Sequence, residues 1–454
     1  NQSPTVEDTI VAIATPTGQG AVSLIRISGN ESTQVANKVF KCNKLDWLSV
    51  PRTQYFGGIY NSKDEKVDSV LTTFFKGPNS YTGDDVIEIA CHGGMLITQK
   101  VLETIIEAGA RLAEPGEFSK RAFLNEKMDL TQAEAVMDLI TAKTSLAMRA
   151  ANSQLDGNLG DRINYLKSEI LNILAHVEAY IDFPEEDITP ETVDSIVLKL
   201  QEIILSISGL IDTSEQGRIL REGLLLAIVG PPNAGKSSLM NKLLGYERAI
   251  VSDLAGTTRD TIEETANIRG IPIRLIDTAG IREVDDLIEG EGVARAKKVI
   301  KNADLVLLVL DGSEEVANIE ELRNEFPADL KQIVVINKND LGVHESHQSI
   351  DAIRISCVNE SGINDLCEAV SNYCLSGMEV FGDDLVAVNS RHRSCLELSR
   401  KHLIEAKENL RNAVEAEYVS LDVRSALDSV GEIVGKADVE DLLGEIFGSF
   451  CIGK

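Results

Sequence analysis

The segment from Gly230 to Ser237 reads GPPNAGKS and matches the phosphate-binding pattern GxxxxGK[ST]. The apolar run LLLAIV precedes it and the helix-like run SLMNKLLG follows it. Backbone N–H groups of such a loop and of the next helix hold phosphates, Lys236 neutralises their charge, and Ser237 offers a hydroxyl to Mg²⁺. The pattern therefore predicts a nucleoside triphosphate site that includes Asn233, Ala234, Gly235, Lys236, Ser237 and Ser238.

A second motif, NKND, follows the strand-like run IVVIN and begins at Asn337. The carboxylate of Asp340 can accept hydrogen bonds from the ring N–H and the exocyclic amine of guanine. Adenine would present an acceptor to the same carboxylate, so a buried mismatch favours GTP over ATP. The base site is predicted to comprise Asn337, Lys338 and Asp340, with Ser356 after the strand-like run AIRI.

Two further stretches are suited to Mg²⁺ and the γ-phosphate. The stretch DTAG follows IPIRLI, and there a carboxylate can hold Mg²⁺ through water while a glycine N–H senses the γ-phosphate. The stretch AGTTRD supplies a switch with a second hydroxyl for the metal. The predicted residues are Asp277, Thr278, Ala279 and Gly280, with Thr257 and Thr258. These motifs in this order, each at a strand end, predict a Ras-like P-loop GTPase of the α/β class.

The residue that orients the attacking water is not evident from these motifs. Ras-type enzymes place a glutamine directly after DxxG, but here that place holds Ile281, which neither donates nor accepts hydrogen bonds. An acidic stretch follows, and any of its carboxylates could act on the water or be solvated loop charge. The candidates are Glu283, Asp285, Asp286, Glu289 and Glu291.

The positive charge that an arginine finger supplies to the transition state also needs a source. Asn233 offers a side-chain oxygen and the loop 252–257 offers carbonyls, so a bound monovalent cation could supply that charge. The alternative is that Asn233 only shapes the loop.

Composition limits the remaining possibilities. The 454 residues predict several domains, and 43% hydrophobic residues exclude wholesale disorder. A net charge of −28 argues against a broadly basic surface that coats nucleic acid. The seven cysteines contain no CxxC pair, and no apolar run approaches the ~20 residues that cross a bilayer. We expect a cytoplasmic protein with no membrane segment.

The pattern of apolar residues changes along the chain. Short strand-like runs at 10–14, 21–27, 70–75 and 86–90, with a helix-like stretch at 99–109, predict an α+β domain. Helical periodicity follows, with a stripe of Ile163, Leu166, Ile170, Ile173, Val177 and Tyr180. Apolar strands at 224–229, 305–310 and 333–337 predict a parallel sheet, and helices return after about 380. We predict domains at 1–120, 121–219, 220–376 and 377–454, with the second and fourth forming one helical domain.

The sequence resembles the MnmE (TrmE) family of tRNA modification GTPases over essentially its whole length. The resemblance is carried by SYTGDDVIEIACHGG, AEPGEFSKRAFLNEKMDL, the GTPase motifs and the terminal FCIGK. It implies an α+β N-terminal domain that binds folate and forms a homodimer. It further implies a discontinuous all-α helical domain and an α/β Ras-like G domain inserted into it.

The resemblance also implies roles within the GTPase site. Glu289, twelve places after the Asp of DTAG, matches the catalytic glutamate of the family, which acts through water. Ser237 and Thr258 match magnesium ligands. Asn233 matches a potassium-binding asparagine, and the cation loop around it comprises Ser252, Asp253, Leu254, Ala255, Gly256 and Thr257. Of these loop residues, Ser252, Leu254 and Thr257 line the potassium site in the family.

In the N-terminal domain, the resemblance implies a site for 5-formyltetrahydrofolate at Arg26, Glu88, Lys127 and Lys454. A pterin ring offers an amide-like edge to a carboxylate, and a glutamate tail suits cations. Each of these residues taken alone could equally be a surface charge. Cys451 resembles a terminal cysteine that is linked to the modification chemistry in the family.

The function implied by the resemblance is potassium-stimulated GTP hydrolysis that drives tRNA modification. With the flavoprotein MnmG in a heterotetramer, such a protein adds a carboxymethylaminomethyl-type group at C5 of the wobble uridine. The acidic composition predicts weak binding of tRNA by this chain alone. The alternative is a regulatory GTP-binding module, for example in ribosome assembly, without one-carbon chemistry.

Overall fold

The structure is a computed structural model that describes most of the chain. The described residues are 8–16, 18–44, 46–182, 193–246, 263–277, 302–315, 319–324, 326–327, 330–375, 387–435, 440–448 and 450–453. Within them the chain forms two compact units, one of residues 1–137 with 434–454 and one of residues 138–433.

The first unit is built on a seven-stranded sheet in the order β3-β4-β5-β6-β2-β1-β7. Neighbouring strands are antiparallel except β1 and β7, which are parallel. The strands are β1 Ile10–Ile13, β2 Val22–Ser28, β3 Phe40–Cys42, β4 Gln54–Tyr60, β5 Lys66–Phe75, β6 Val86–His92 and β7 Arg111–Leu112.

Alternation of apolar residues decides which face of this sheet is buried. Ile25 and Ile27 on β2, like Ile87 and Ile89 on β6, are buried in one cluster with residues of two helices. Full burial of each such side chain stabilises the fold by ~1.5–3 kcal/mol. The helices on this face are α1 Ser32–Val39 and α2 Met95–Glu107.

The remaining helices of the first unit form a smaller apolar cluster. Leu130 is buried together with Leu443, Phe447 and Phe450, so the end of the chain packs within the N-terminal unit. An antiparallel bridge between Pro115 and Ile452 adds to this packing. These helices are α3 Glu117–Leu124, α4 Leu130–Thr141, which continues past residue 137, and, numbered in chain order, α14 Glu440–Gly448.

In the second unit, long helices precede and follow an α/β segment along the chain. The predicted stripe on α6 is buried from Ile163 to Val177. Tyr180 departs from that prediction, because it lies near the end of α6 with 63% of its surface exposed. The helices are α5 Ser145–Leu155, α6 Asn158–Asp182, α7 Val193–Asp212, α8 Ser214–Glu222, α12 Ser390–Arg411 and α13 Ala416–Val434.

The α/β segment carries a six-stranded sheet in the order β13-β12-β11-β8-β10-β9. All neighbours are parallel except β10 and β9, which form a hairpin. Arg269 and Gly270 make its two-residue turn with φ of +52° and +85°, conformations that suit a tight hairpin. The strands are β8 Leu224–Val229, β9 Glu263–Ile268, β10 Ile271–Asp277, β11 Leu305–Asp311, β12 Lys331–Asn337 and β13 Ile353–Arg354.

Helices cover this parallel sheet, and β11 is buried along its whole length. The continuous apolar runs of β8, β11 and β12 contribute to two apolar clusters. This is expected for strands of a parallel sheet that is covered on both faces. The helices of the segment are α9 Lys236–Tyr246, α10 Ile319–Asn324 and α11 Ile363–Leu375.

Most predicted elements have counterparts in the structure, and several differ in their bounds. The helix predicted at 99–109 runs from Met95 to Glu107, because Gly94 is extended directly before it and Gly109 takes a left-handed φ of +121° after it. The predicted domain boundaries stay predictions. Among the described residues, no helix is both long and apolar enough to span a membrane.

Candidate functional site

The phosphate loop connects β8 to α9, which begins at Lys236. Asn233 and Gly235 both have left-handed φ, of +62° and +92°. A Cβ on Gly235 would lie 2.1 Å from Asn337 Nδ2, so only glycine fits there. The backbone of the loop is therefore restricted to one conformation directly before α9. Backbone N–H groups at the N-terminus of such a helix bind anions.

Asn337 at the end of β12 ties the base motif to this loop. Its Nδ2 donates to the Ala234 carbonyl at 2.9 Å, and its Oδ1 accepts from the Cys357 backbone N–H at 3.3 Å. The side chain is almost fully buried, so these hydrogen bonds have no competition from water. The amide of Asn337 thus fixes the spacing between the phosphate loop and the segment after β13.

Asp340 lies on the short 3-10 turn Asn339–Leu341 that follows β12. Ser356 Oγ donates to one of its carboxylate oxygens and accepts from the backbone N–H groups of Val358 and Asn359 at 3.2 and 3.3 Å. Ser356 therefore orients the carboxylate, and the second carboxylate oxygen of Asp340 is available to a guanine edge.

Lys338 is held in a defined position by Asp311 at the end of β11. Its Nζ donates to Asp311 Oδ2 at 2.5 Å, and Ser313 donates to Oδ1 through both its N–H and its hydroxyl. Burial alone would raise the pKa of Asp311, but the hydrogen bonds from Lys338 and Ser313 outweigh it and lower that pKa below its ordinary value. The pKa of Lys338 is raised by the same hydrogen bond.

Three residues of the loop match the chemistry of cation and phosphate binding. Ser237 is exposed in the first turn of α9, where a hydroxyl can reach a metal ion beside the phosphates. The Lys236 ammonium donates to the Pro231 carbonyl at 2.8 Å, across the loop that would enclose the phosphates. Asn233 is exposed, and asparagine tolerates the left-handed φ found there.

A second polar site lies on the face of the first unit's sheet opposite its helices α1 and α2. Arg26 on β2 is the register partner of Glu88 on β6, and its Nε and Nη2 donate to Glu88 Oε1 at 3.0 and 2.8 Å. Their side chains are 15% and 23% exposed, so the ion pair is mostly shielded from solvent yet accessible.

Aromatic rings border this ion pair. The Arg26 guanidinium carbon lies 5.0 Å from the centroid of the Tyr81 ring and 5.7 Å from that of Phe118. Tyr81 in turn exchanges a hydrogen bond with Ser119 at 2.9 Å. Flat rings beside a guanidinium and a carboxylate suit a planar heterocycle that has both donors and acceptors.

Comparisons with known proteins match this architecture along the whole chain. The family described as "GTP-binding protein TrmE N-terminus" matches residues 9–127, and the one described as "MnmE helical domain" matches residues 130–451. The chain belongs to the MnmE family.

Similar relatives carry the same family name. The tRNA modification GTPase MnmE of Akkermansia muciniphila is 46% identical over 452 residues, which cover 99% of each chain. The proteins of the same name from Alkaliphilus metalliredigens and Ligilactobacillus salivarius are 43% and 44% identical, and each match covers 99% of this chain. Among solved structures, the G domain of the T. maritima FeoB iron transporter is 28% identical over 33% of this chain and 98% of its own, with a TM-score of 0.26.

Several residues that the family resemblance assigns lie outside the described part of the chain. They are the catalytic candidate Glu289 with the other acidic candidates, the cation loop from Ser252 to Thr258, the stretch Thr278–Gly280, and Lys454. Asp277 ends β10, and its side chain is likewise outside the described residues. These MnmE-type assignments stay predictions.

The folate residues that the MnmE resemblance implies are only partly brought together. Arg26 and Glu88 form one ion pair, whereas Lys127 is exposed after α3, and no hydrogen bond or ion pair joins it to that pair in the described structure. Gly453, one residue before Lys454, packs against β1, since a Cβ there would lie 2.2 Å from the Ile13 carbonyl.

Three histidines of this MnmE-family chain have local hydrogen-bond partners. His92 is 69% exposed and bonds to Asp68 through Nδ1 at 2.7 Å. His344 accepts the Ser346 N–H, and buried His347 contacts the Glu314 carbonyl through Nε2 at 2.9 Å. His344 and His347 thus have separate partners, although they are only three positions apart.

Three residues beside the sites were missed in the sequence. Asp311, which holds Lys338, stands at a strand end in DGS and carries no motif of its own. Tyr81 and Phe118 lie within the SYTG and EFSKR segments, but only the fold brings their rings to Arg26.

Proposed function

We propose that this chain hydrolyses GTP, with Mg²⁺ and with K⁺ stimulation, to drive modification of tRNA. In this proposal the flavoprotein MnmG is its partner in a heterotetramer. The product is a carboxymethylaminomethyl-type group at C5 of the wobble uridine of certain tRNAs, made in the cytoplasm with folate as the source of the one-carbon unit.

GTP hydrolysis is supported by the hydrogen bonds that connect the phosphate-binding loop to the base-binding motif. The Asn337 amide joins the Ala234 carbonyl of the phosphate loop to the Cys357 N–H beside the base segment. Asp340 is oriented nearby by Ser356, so a guanine and a triphosphate can bind at a fixed separation. This arrangement supports GTP as the substrate.

The loop residues also support the proposed cations. Ser237 would hold Mg²⁺ together with Thr258 and, through water, Asp277, and this ion would neutralise charge on the phosphates. Exposed Asn233 would hold K⁺ with loop residues Ser252, Leu254 and Thr257, which would supply the charge that an arginine finger provides elsewhere. Glu289 would position the water that attacks the γ-phosphate.

The Arg26–Glu88 pair supports folate as the ligand of the N-terminal unit. A carboxylate can accept from the amine and ring N–H of a pterin, and a guanidinium can donate to its carbonyl. Gly453 packs against Ile13, and Ile13 is the register partner of Ile25, the residue before Arg26. Gly453, the residue before Lys454, thereby lies beside the strand that pairs with the strand of Arg26.

The outer face of the same sheet supports the proposed homodimer. Phe56, Leu71, Ala90 and Leu24 are register partners across four neighbouring strands and make one apolar row. Phe56 and Leu71 are 71% and 39% exposed. A second copy that covers this row would also close over Arg26 and Glu88, which are the next row of the sheet.

The potassium proposal is tested by GTP turnover at equal ionic strength in KCl and NaCl with Mg²⁺ present. We expect turnover to be at least ~10-fold higher in KCl, because one preorganised positive charge stabilises the transition state by at least the free energy that corresponds to this factor. Asn233→Ala should abolish that difference, whereas Asn241→Ala, on the exposed side of α9, should preserve it. Equal rates in the two salts for the unaltered chain would refute the potassium role.

The modification itself is tested with unmodified tRNA, the flavoprotein, GTP and 5-formyltetrahydrofolate, followed by mass spectrometry of the nucleosides. We expect a C5-substituted uridine that requires GTP hydrolysis. A regulatory GTP-binding module would hydrolyse GTP without altering any nucleoside, and that result would favour this alternative.

A further inference from the structure

A cluster of His402, Glu405 and Asp422 lies in the helical part of the second unit, apart from both sites described above. The first two residues are three positions apart on α12 and so lie on one face of that helix. Asp422 is on α13, which follows α12 after a short turn. The potential ligand atoms of the three side chains lie within 4.8 Å of one another.

One ring nitrogen of the histidine in this cluster has no hydrogen-bond partner. Nδ1 of His402 is buried and has no hydrogen-bond partner within the described structure. It lies 3.3 Å from Glu405 Oε2, but not in the geometry of a hydrogen bond. A buried polar atom without a partner is costly, and a bound cation would satisfy this one.

The neighbours of the cluster leave its carboxylates available to a cation. Asn409 Nδ2 donates to Asp422 Oδ2 at 2.8 Å, which orients that carboxylate and leaves Oδ1 free of this bond. The Lys401 ammonium is 3.9 Å from the other oxygen of Glu405, too far for a hydrogen bond. Such outer partners orient ligands in metal sites.

The distances are close to those of a zinc site. Zn²⁺ binds imidazole nitrogen and carboxylate oxygen at about 2.1 Å, so tetrahedral ligands are about 3.4 Å apart. The Nδ1–Oε2 separation of 3.3 Å already matches, and the full spread of 4.8 Å closes with small rotations of partly exposed side chains. One imidazole with two carboxylates suits a borderline divalent ion.

We propose that His402, Glu405 and Asp422 form a zinc site that fastens α12 to α13. Three protein ligands leave one coordination position for water. A metal that bridges the two helices restrains the hairpin they form, and its binding raises the stability of the helical domain.

The test uses the full-length reduced chain with Mg²⁺ and GDP in excess, so that the nucleotide site is occupied. Zinc is titrated in competition with a zinc-sensitive dye. We expect about one equivalent of Zn²⁺ whose affinity falls at least ~10-fold in His402→Gln and in Asp422→Asn. Glu397→Gln is the matched control, since Glu397 lies on α12 but pairs with Arg393 outside the cluster.

Two further readouts separate this site from adventitious binding and from loss of fold. Zinc should raise the thermal unfolding midpoint of the unaltered chain and of Glu397→Gln but not of His402→Gln. Cobalt(II) should give visible bands of nitrogen and oxygen ligation without a sulfur charge-transfer band. Equal zinc stoichiometry and affinity in all variants, or a cobalt spectrum with sulfur ligation that persists in them, would overturn the proposal.

Discussion

The nucleotide site and the Arg26–Glu88 site of this chain are built on different principles. The nucleotide site lies at the carboxyl ends of parallel strands β8 and β12, and its phosphate-binding motif is a run of eight consecutive residues. The Arg26–Glu88 site lies on the face of a mostly antiparallel sheet and joins residues 62 positions apart. The first depends on backbone geometry and the second on side-chain pairing across strands.

This difference explains how each site tolerates change. In the phosphate loop, a Cβ on Gly235 would collide with Asn337, so the backbone itself is the constraint. In the sheet, Arg26 and Glu88 lie on extended strands, and their replacement would remove ligand contacts, one ion pair and the contacts of Arg26 with two aromatic rings. Substitutions in the two regions should therefore affect turnover, affinity and stability to different degrees.

The largest effect is expected from Glu289→Ala in the nucleotide site. Turnover should fall by roughly 10²–10⁴, the range for loss of a positioned acid or base group, while nucleotide affinity stays near normal. Single-turnover hydrolysis and nucleotide titration measure the two quantities. Glu291→Ala, in the same acidic stretch, is the matched control. Unchanged turnover in Glu289→Ala would return the role to another carboxylate.

Next in size is the effect of Asp340→Asn on base recognition. Loss of hydrogen bonds to a charged acceptor, at about 1.5–3 kcal/mol, should weaken GTP binding by about 10- to 150-fold. Xanthosine triphosphate, which presents a carbonyl in place of the guanine amine, should bind better than before. Asp351→Asn on the surface of the same unit is the control. Retained guanine preference would contradict the role of Asp340.

A smaller effect is expected in the sheet site. Arg26→Ala and Glu88→Gln should each weaken 5-formyltetrahydrofolate binding by about 10-fold in calorimetry, because each removes one charged hydrogen-bonding partner. Glu103→Gln, in an exposed ion pair of α2, should leave the affinity unchanged. Absence of any binding heat with the unaltered chain would remove folate from the proposed function.

The smallest effect is expected on stability, from loss of the ion pair between Asp311 and Lys338. Asp311→Asn should reduce the free energy of unfolding by about 0.5–1 kcal/mol at pH 7, the scale of a partly exposed ion pair. The pKa of Asp311 is lowered in the folded state, so its contribution is present above the unfolded value near ~3.9 and is lost as pH falls below it.

Urea unfolding of the two chains from pH 7 to about pH 3 measures this difference. The gap between them should stay constant above about pH 5 and close in more acidic solution. Glu360→Gln removes a more exposed partner of Lys242 and should change stability less. A gap that widened toward acid would show that Asp311 acts in another way.

Local patterns in the sequence were sufficient for the longer apolar strands, some of the helices and the nucleotide motifs, whereas strands such as β3, β4 and β9 were not predicted. The runs at 224–229, 305–310 and 333–337 form the parallel strands β8, β11 and β12. A strand that is apolar at every position has both of its faces buried, and parallel sheets with helices on both sides provide that environment. The GPPNAGKS loop was recognisable because its function depends on consecutive backbone groups. The family resemblance added the choice of Glu289 among five carboxylates, which spacing alone leaves open.

Tertiary structure decided the features that depend on distant residues. Tyr180 continues the apolar spacing of α6 yet is exposed. The spacing predicts which face of a helix is apolar, but not how far along the helix that face is covered by other elements. The rings at Arg26, the support of Lys338 by Asp311, and the cluster of His402, Glu405 and Asp422 all join separate elements. Sequence determines contacts within a turn or a strand, because covalent geometry fixes those distances. Contacts between elements depend on how the buried faces pack, and only the folded chain sets them.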